Sequence, residues 1–180
     1  MADWPQVARR IRVPLGFAFA VLYIWLAKPT FKSLLIGLVV TLPGILLRAL
    51  ASGHVRKNEA LATSGPYAYT RNPLYLGSLI IAIGFAIAAL SWWIAAVMVA
   101  FFVAVYVPVI RGEEKYLRTH FPEFEKYAQQ VPRLLPRFSS REIENGPFSW
   151  DLYWKHREYN AALGMLGIIA VLVAKIIWRH

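Results

Sequence analysis

Cysteine is absent from the chain. That excludes disulfides, thiolate-ligated zinc, iron–sulfur clusters and thiol nucleophiles, and leaves the redox compartment open. Acidic residues are scarce: 10 Asp and Glu stand against 20 Lys and Arg, a net charge of +10 over 180 residues. Charged residues make up only 17% and hydrophobic ones 58%, above the share usual for soluble domains. From Leu74 to Ile110 charge is missing altogether. The four histidines, His54, His120, His156 and His180, form no pair at zincin spacing, so no metal site is expected. Arg9, Arg10 and Arg12 precede an apolar run, but no small-residue cleavage site follows; the first helix is expected to be retained. Internal repeats and low-complexity tracts are also lacking.

What is present is apolar sequence in blocks. The length suits one domain over residues 1–180. Five segments have the character of membrane spans: about 13–27, 31–51, 74–90, 94–110 and 161–178. Pro43-Gly44 is expected to kink the second. As one helix, Leu74–Ile110 would be roughly 55 Å long, against a hydrocarbon core of about 30 Å. It must fold back, and Ser91-Trp92-Trp93 is the natural turn because Trp favours the interface. With the N-terminus inside, 16 basic residues fall on the cytoplasmic side and 4 outside, a positive-inside bias. The fold class expected is an all-α integral membrane protein of about five short transmembrane helices. Its chemistry belongs where the two long polar segments, Ser52–Asn72 and Arg111–Tyr159, meet at the cytoplasmic face. Basic residues flank apolar runs, which favours an anionic membrane surface over nucleic acid. No obligatory protein partner is evident. The most loop-like stretch is Leu134–Ser149.

Three polar segments could carry chemistry. In Gly65–Gly77, Pro73 suits the first turn of a helix with Asn72 as N-cap, and such an end suits a carboxylate or phosphate. Tyr67, Tyr69, Tyr75 and Arg71 sit beside it. The plainer reading is a capped helix with interfacial tyrosines and a snorkelling arginine. In the second segment Arg111 and Glu114 share a helix face at i,i+3, and Glu113-Glu114 places two acids beside an anionic surface, where a bound cation would compensate them. The plainer reading is an interfacial amphipathic helix. In the third, Trp154–Asn160, His156 and Asn160 lie at i,i+4 with Arg157 and Glu158 between them; a basic anchor is the plainer reading.

Taken together, these segments resemble the isoprenylcysteine carboxyl methyltransferase and phospholipid N-methyltransferase superfamily of membrane proteins. The resemblance rests on Gly65-Pro66-Tyr67, Arg71-Asn72-Pro73-Leu74-Tyr75-Leu76-Gly77, Glu113-Glu114, Phe124-Glu125-Lys126-Tyr127 and Val131-Pro132-Arg133-Leu134-Leu135-Pro136. It covers about 53–136. It implies S-adenosyl-L-methionine as cofactor and methyl transfer to a lipophilic substrate or lipid. It implies further that Gly65, Tyr67, Arg71, Asn72, Pro73 and Tyr75 line the cofactor pocket, together with Glu59, Leu61 and Thr63 of the preceding stretch. Glu114 would hold the cofactor's polar end and Arg111 would face the substrate. Asn72 stands where the family has His, which weakens a proton-transfer role there. Trp154–Asn160 and the last helix have no clear family counterpart.

A sulfonium donor needs in-line positioning and a dry site more than a strong base, and orientation alone can lower a barrier by about 7–11 kcal/mol. A carboxylate acceptor of the isoprenylcysteine type, the favoured one, needs only a guiding cation such as Arg111. A phospholipid amine, the next, needs a base, for which Glu113 or Glu114 are candidates. If the inner ends of the fourth and fifth spans are adjacent, Arg111, His156, Arg157, Glu158 and Asn160 form a polar mouth over a hydrophobic channel. Two other classes stay open: an NADPH-dependent membrane reductase of the sterol-reductase type, and a non-enzymatic membrane scaffold.

Overall fold

A computed structural model describes residues 4–56, 59–137 and 146–178. Lys57, Arg141 and Arg179, counted in the charge bias, and residues 138–145 of the loop-like stretch lie outside the described residues. The described chain is helical throughout, without strands: α1 (Trp4–Leu26), α2 (Phe31–Ser52), a 3-10 turn (Gly65–Ala68), α3 (Pro73–Ala89), α4 (Trp92–Phe101), a π-helical turn (Phe102–Tyr106), α5 (Val107–His120), α6 (Phe124–Gln130), α7 (Trp150–Lys155) and α8 (Tyr159–Ile177). The protein is thus an all-α integral membrane protein. Among the described residues three helices are long and apolar enough to cross a bilayer, Phe31–Ser52, Trp92–His120 and Tyr159–Ile177, and two shorter apolar ones, Pro14–Leu26 and Pro73–Ala89, accompany them.

Two boundaries differ from the sequence reading. The hairpin reverses one residue early, at Leu90, whose left-handed φ of 49° ends α3; Trp92 and Trp93 open α4 and are exposed. The fourth apolar segment does not stop at Ile110 but continues as helix to His120. Its polar continuation is amphipathic, so one face stays buried against the site while the other is solvated. The π turn sits just before Pro108, whose missing N–H deprives the Ala104 carbonyl of its helical partner. The Trp4 indole donates to that carbonyl at 3.2 Å. α2 runs without interruption through Pro43.

Small residues set the closest helix contact. A Cβ on Gly37 would stand 2.5 Å from the Gly84 carbonyl oxygen, and one on Gly44 2.7 Å from that of Gly77. Backbones this close gain dispersion contacts that bulkier side chains would forbid, the usual means of helix association in lipid. Thr30 and Ser33 form a capping box at the start of α2, and the Ser33 hydroxyl donates to the Ala88 carbonyl at 3.1 Å. Contacts close a ring in the order α1, α8, α2, α3, α4–α5 and back to α1. The ring borders a half-open cavity of about 1100 Å³. Trp25, Trp92, Trp93 and Trp178 are exposed at one end of the helices, and Trp150 and Trp154 at the other, as interfacial aromatics are.

Candidate active site

The polar segments 65–77 and 131–137 are laced together at the end away from the Trp92 hairpin. The Arg71 backbone N–H donates to the Pro132 carbonyl at 2.9 Å, and that of Arg137 to the Tyr69 carbonyl at 3.1 Å. The Thr70 hydroxyl donates to the Leu134 carbonyl at 2.9 Å. α5 delivers two adjacent carboxylates to this platform, and adjacent helical positions diverge by about 100°. They therefore reach different partners.

Glu114 turns inward and is 2% exposed. Arg133 donates to it through Nε at 3.0 Å and pairs through Nη2 at 2.9 Å, Arg71 Nε lies 3.4 Å away, and Asn72 Nδ2 donates at 3.3 Å. Such a carboxylate tolerates burial only because cations and an amide surround it. Asn72 is at the N-cap position of α3, as expected, but its side chain makes no capping bond. It is drawn to Glu114 and to the Arg133 carbonyl, at 2.9 Å. The buried Arg71 Nε has no hydrogen-bond partner.

Glu113 is half-buried and accepts the Tyr75 hydroxyl at 2.9 Å. The Tyr75 ring meets Tyr106 edge-on, with centroids 5.7 Å apart, and Tyr106 lines the cavity. Tyr67 is buried beneath, its carbonyl accepting the Tyr127 hydroxyl at 2.7 Å. Burial pushes the Tyr67 hydroxyl pKa well up, and Tyr127, Glu113, Tyr75 and Glu158 push the same way, so it remains a proton donor. Pro73, at the first turn of α3, is buried as well.

The other expected residues scatter. Arg111 is exposed, although Glu114 one turn on is buried; it is absent from the cavity wall, where Arg48 appears instead. Glu59 is exposed and paired with Lys155 at 3.3 Å. Leu61 packs against Phe124, Tyr127 and Val131. Thr63 is half-buried. Gly65 takes a φ of +56°, and a Cβ there would meet the His54 ring at 2.6 Å. His156 Nδ1 is 3.1 Å from the Ser52 carbonyl. Arg157 is exposed in a left-handed turn, φ 53°. Glu158 does reach the cavity mouth, because Arg48 Nε donates to it at 2.5 Å while Arg48 Nη1 donates to Ser78 at 2.5 Å. Asn160 lines the cavity. Arg48, Ser78, Tyr106 and Arg133 thus belong to the site without having been singled out. For Arg48 the signal was available: a charge inside an apolar helix marks function more often than anchoring. Among the described residues no group of three or more His, Cys, Asp or Glu could hold a metal ion.

An S-adenosylmethionine-type cofactor fits these residues. Arg71, whose Nε lies 3.4 Å from Glu114 without a hydrogen bond, suits a carboxylate, Glu113 suits a cation, and the tyrosine rings suit a sulfonium or a flat base.

The molecule is therefore a helical membrane protein in which a carboxylate–tyrosine cluster touches, through Tyr106, a cavity between the apolar helices. The chain belongs to the phospholipid methyltransferase family, whose model matches residues 11–123. It is 35% identical over 119 residues to the cobalt-zinc-cadmium resistance protein CzcN of Cupriavidus metallidurans, covering 65% of this chain and 54% of that one. It is 34% identical over 116 residues to the nickel-cobalt-cadmium resistance protein NccN of Alcaligenes xylosoxydans xylosoxydans, covering 64% and 54%. The chain thus spans about half the length of these relatives. No solved structure matches it.

Proposed function

We propose that the protein is an S-adenosylmethionine-dependent methyltransferase acting on a lipophilic acceptor at the cytoplasmic membrane face. The observation that carries this reading is the continuous path from Glu113 through Tyr75 to Tyr106, which joins the polar cluster to the apolar cavity. The cofactor, when bound, supplies an electrophilic methyl group on a sulfonium. Glu113, Tyr67, Tyr75 and Arg71 would hold it, with Gly65, Asn72 and Pro73 shaping the wall. Glu114 would act through Arg71, Asn72 and Arg133, fixing the platform rather than touching the reacting atoms. At the cavity mouth Arg48, more than Arg111, is placed to orient an acceptor head. A carboxylate acceptor needs that orientation and the exclusion of water, and no base. An amine acceptor would give its proton to Glu113. The carboxylate remains the favoured acceptor and a phospholipid amine the next. The relatives' names add a setting, metal resistance, and no acceptor.

Membranes holding the protein, given methyl-labelled S-adenosylmethionine, are expected to place label in the organic-extractable fraction above a control without the protein. Alkali-labile label identifies a methyl ester, and alkali-stable label on a lipid amine moves the acceptor to the second class. Absence of any extractable label above the control contradicts the proposal.

A further inference from the structure

The helix that carries Glu113 and Glu114 changes register on the way to them. It is α-helical from Trp92 to Phe101, widens to a π turn from Phe102 to Tyr106, and is α-helical again from Val107 to His120. A π turn holds one residue more than the α register allows, so everything beyond it is set back by about 100°, the twist of one residue. Two features hold the turn open. Pro108 has no N–H to give to the Ala104 carbonyl, and the Trp4 indole donates to that carbonyl at 3.2 Å instead. Ala8, one turn after Trp4 on α1, is wholly enclosed and packs in one cluster with Val105, Val109, Ile110 and Tyr75. The first turns of α1 thus clamp the place where the register changes. Trp4 and Ala8 precede the residues matched by the family model.

We propose that this π turn sets which residue stands opposite Tyr75, and that Pro108 and Trp4 are positioning residues that hold it. The proposal rests on the methyltransferase reading for the role of Glu113 and goes beyond it in naming what places that acid. Before the turn the helix gives Met98 and Phe102 to the cavity wall, and Tyr106, the last residue of the turn, lines the same cavity. Tyr106 stacks on Phe102 with centroids 5.4 Å apart and meets Tyr75 edge-on at 5.7 Å. After the turn Glu113 accepts the Tyr75 hydroxyl at 2.9 Å, and Glu114 pairs with Arg133 at 2.9 Å. In an uninterrupted α-helix anchored by the same wall, each later residue would take the place of its successor. Glu113 would fill the buried place beneath Arg133, and Gly112 would stand opposite Tyr75. The site would keep its buried acid and lose the other. The 131–137 strap fixes which place is buried, and the register of α5 fixes which acid fills it. A π turn is rare, and π turns occur often at functional sites; here the turn joins the apolar wall to the polar cluster.

The test uses the full chain in detergent and the double variant Trp4→Phe/Pro108→Ala, which removes the indole donor and returns the missing N–H. Alanine is the better helix former, so the variant is expected to fold, and a melting curve checks that; if it does not fold, Pro108→Ala alone carries the same comparison. Register is read first. The chain has no cysteine, so Ile110→Cys supplies a single thiol at a place only 3% exposed, next to the exposed Arg111. That thiol is expected to resist a water-soluble maleimide in the otherwise unmodified chain and to become labelled in the double variant, where position 110 takes the place of 111. Binding of S-adenosylhomocysteine is read second, by isothermal titration. The double variant is expected to bind about tenfold more weakly or worse, the scale of one hydrogen bond to a charged group. Adding Gly112→Glu to it returns a carboxylate to the place opposite Tyr75 and is expected to recover most of the loss, while Gly112→Glu alone gives no gain. Unchanged labelling, unchanged affinity, or a loss that Gly112→Glu leaves unrepaired overturns the proposal. Failure of the unmodified chain to bind contradicts the methyltransferase reading instead, and the labelling still decides the register.

Discussion

Glu114→Ala is expected to destabilise the protein by about 3–5 kcal/mol, because it removes one partner of a buried ionic cluster and leaves charge uncompensated. The carboxylate is 2% exposed, and Arg133, Arg71 and Asn72 converge on it. Without Glu114, Arg71 and Arg133 would face each other with no carboxylate between them. Thermal unfolding in detergent checks this. A large fall in melting temperature is expected for Glu114→Ala, with partial recovery in Glu114→Gln, which keeps an acceptor for Arg133. An unchanged melting temperature would mean that the carboxylate is free to serve a ligand.

Glu113→Ala is expected to behave in the opposite way. Glu113 is only half-buried, and its bond is to the Tyr75 hydroxyl, so the fold should persist. Binding of S-adenosylhomocysteine should weaken by roughly ten- to a hundredfold, the equivalent of the ~1.5–3 kcal/mol carried by a hydrogen bond to a charged group. Isothermal titration on the folded variant gives the answer directly. Equal affinity in Glu113→Ala and the unmodified protein would remove Glu113 from the cofactor site. The two adjacent acids thus separate by readout: one moves stability, the other moves binding.

The contrast also marks how far the sequence could be read. The apolar blocks, the fold-back of Leu74–Ile110 and the meeting of the two polar segments were legible, since each follows from hydropathy, bilayer thickness and charge placement. The cluster of Tyr67, Arg71, Asn72, Tyr75, Glu113 and Glu114 was legible through its motifs. Which acid is buried beneath Arg133 was not. Adjacent helical residues point about 100° apart, and only the position of the 131–137 strap decides which one it covers. The same holds for Arg111 and Arg48. Both stand at the charged ends of apolar helices, but Arg48 is held at the cavity by Ser78 and Glu158, contacts 30 and 110 residues away in the chain. Glu158 was reached as an expected site residue, but its partner was not. Asn72 was placed at the right helix position, yet its side chain serves Glu114 because a buried carboxylate competes strongly for a nearby amide donor.

The most direct test of the central claim is calorimetric titration of the purified, unmodified chain with S-adenosylhomocysteine and, separately, with NADPH. Saturable binding of S-adenosylhomocysteine and none of NADPH is the predicted result. Saturable NADPH binding with no heat from S-adenosylhomocysteine would contradict the account and assign the Tyr75–Glu113 cluster to a reductase.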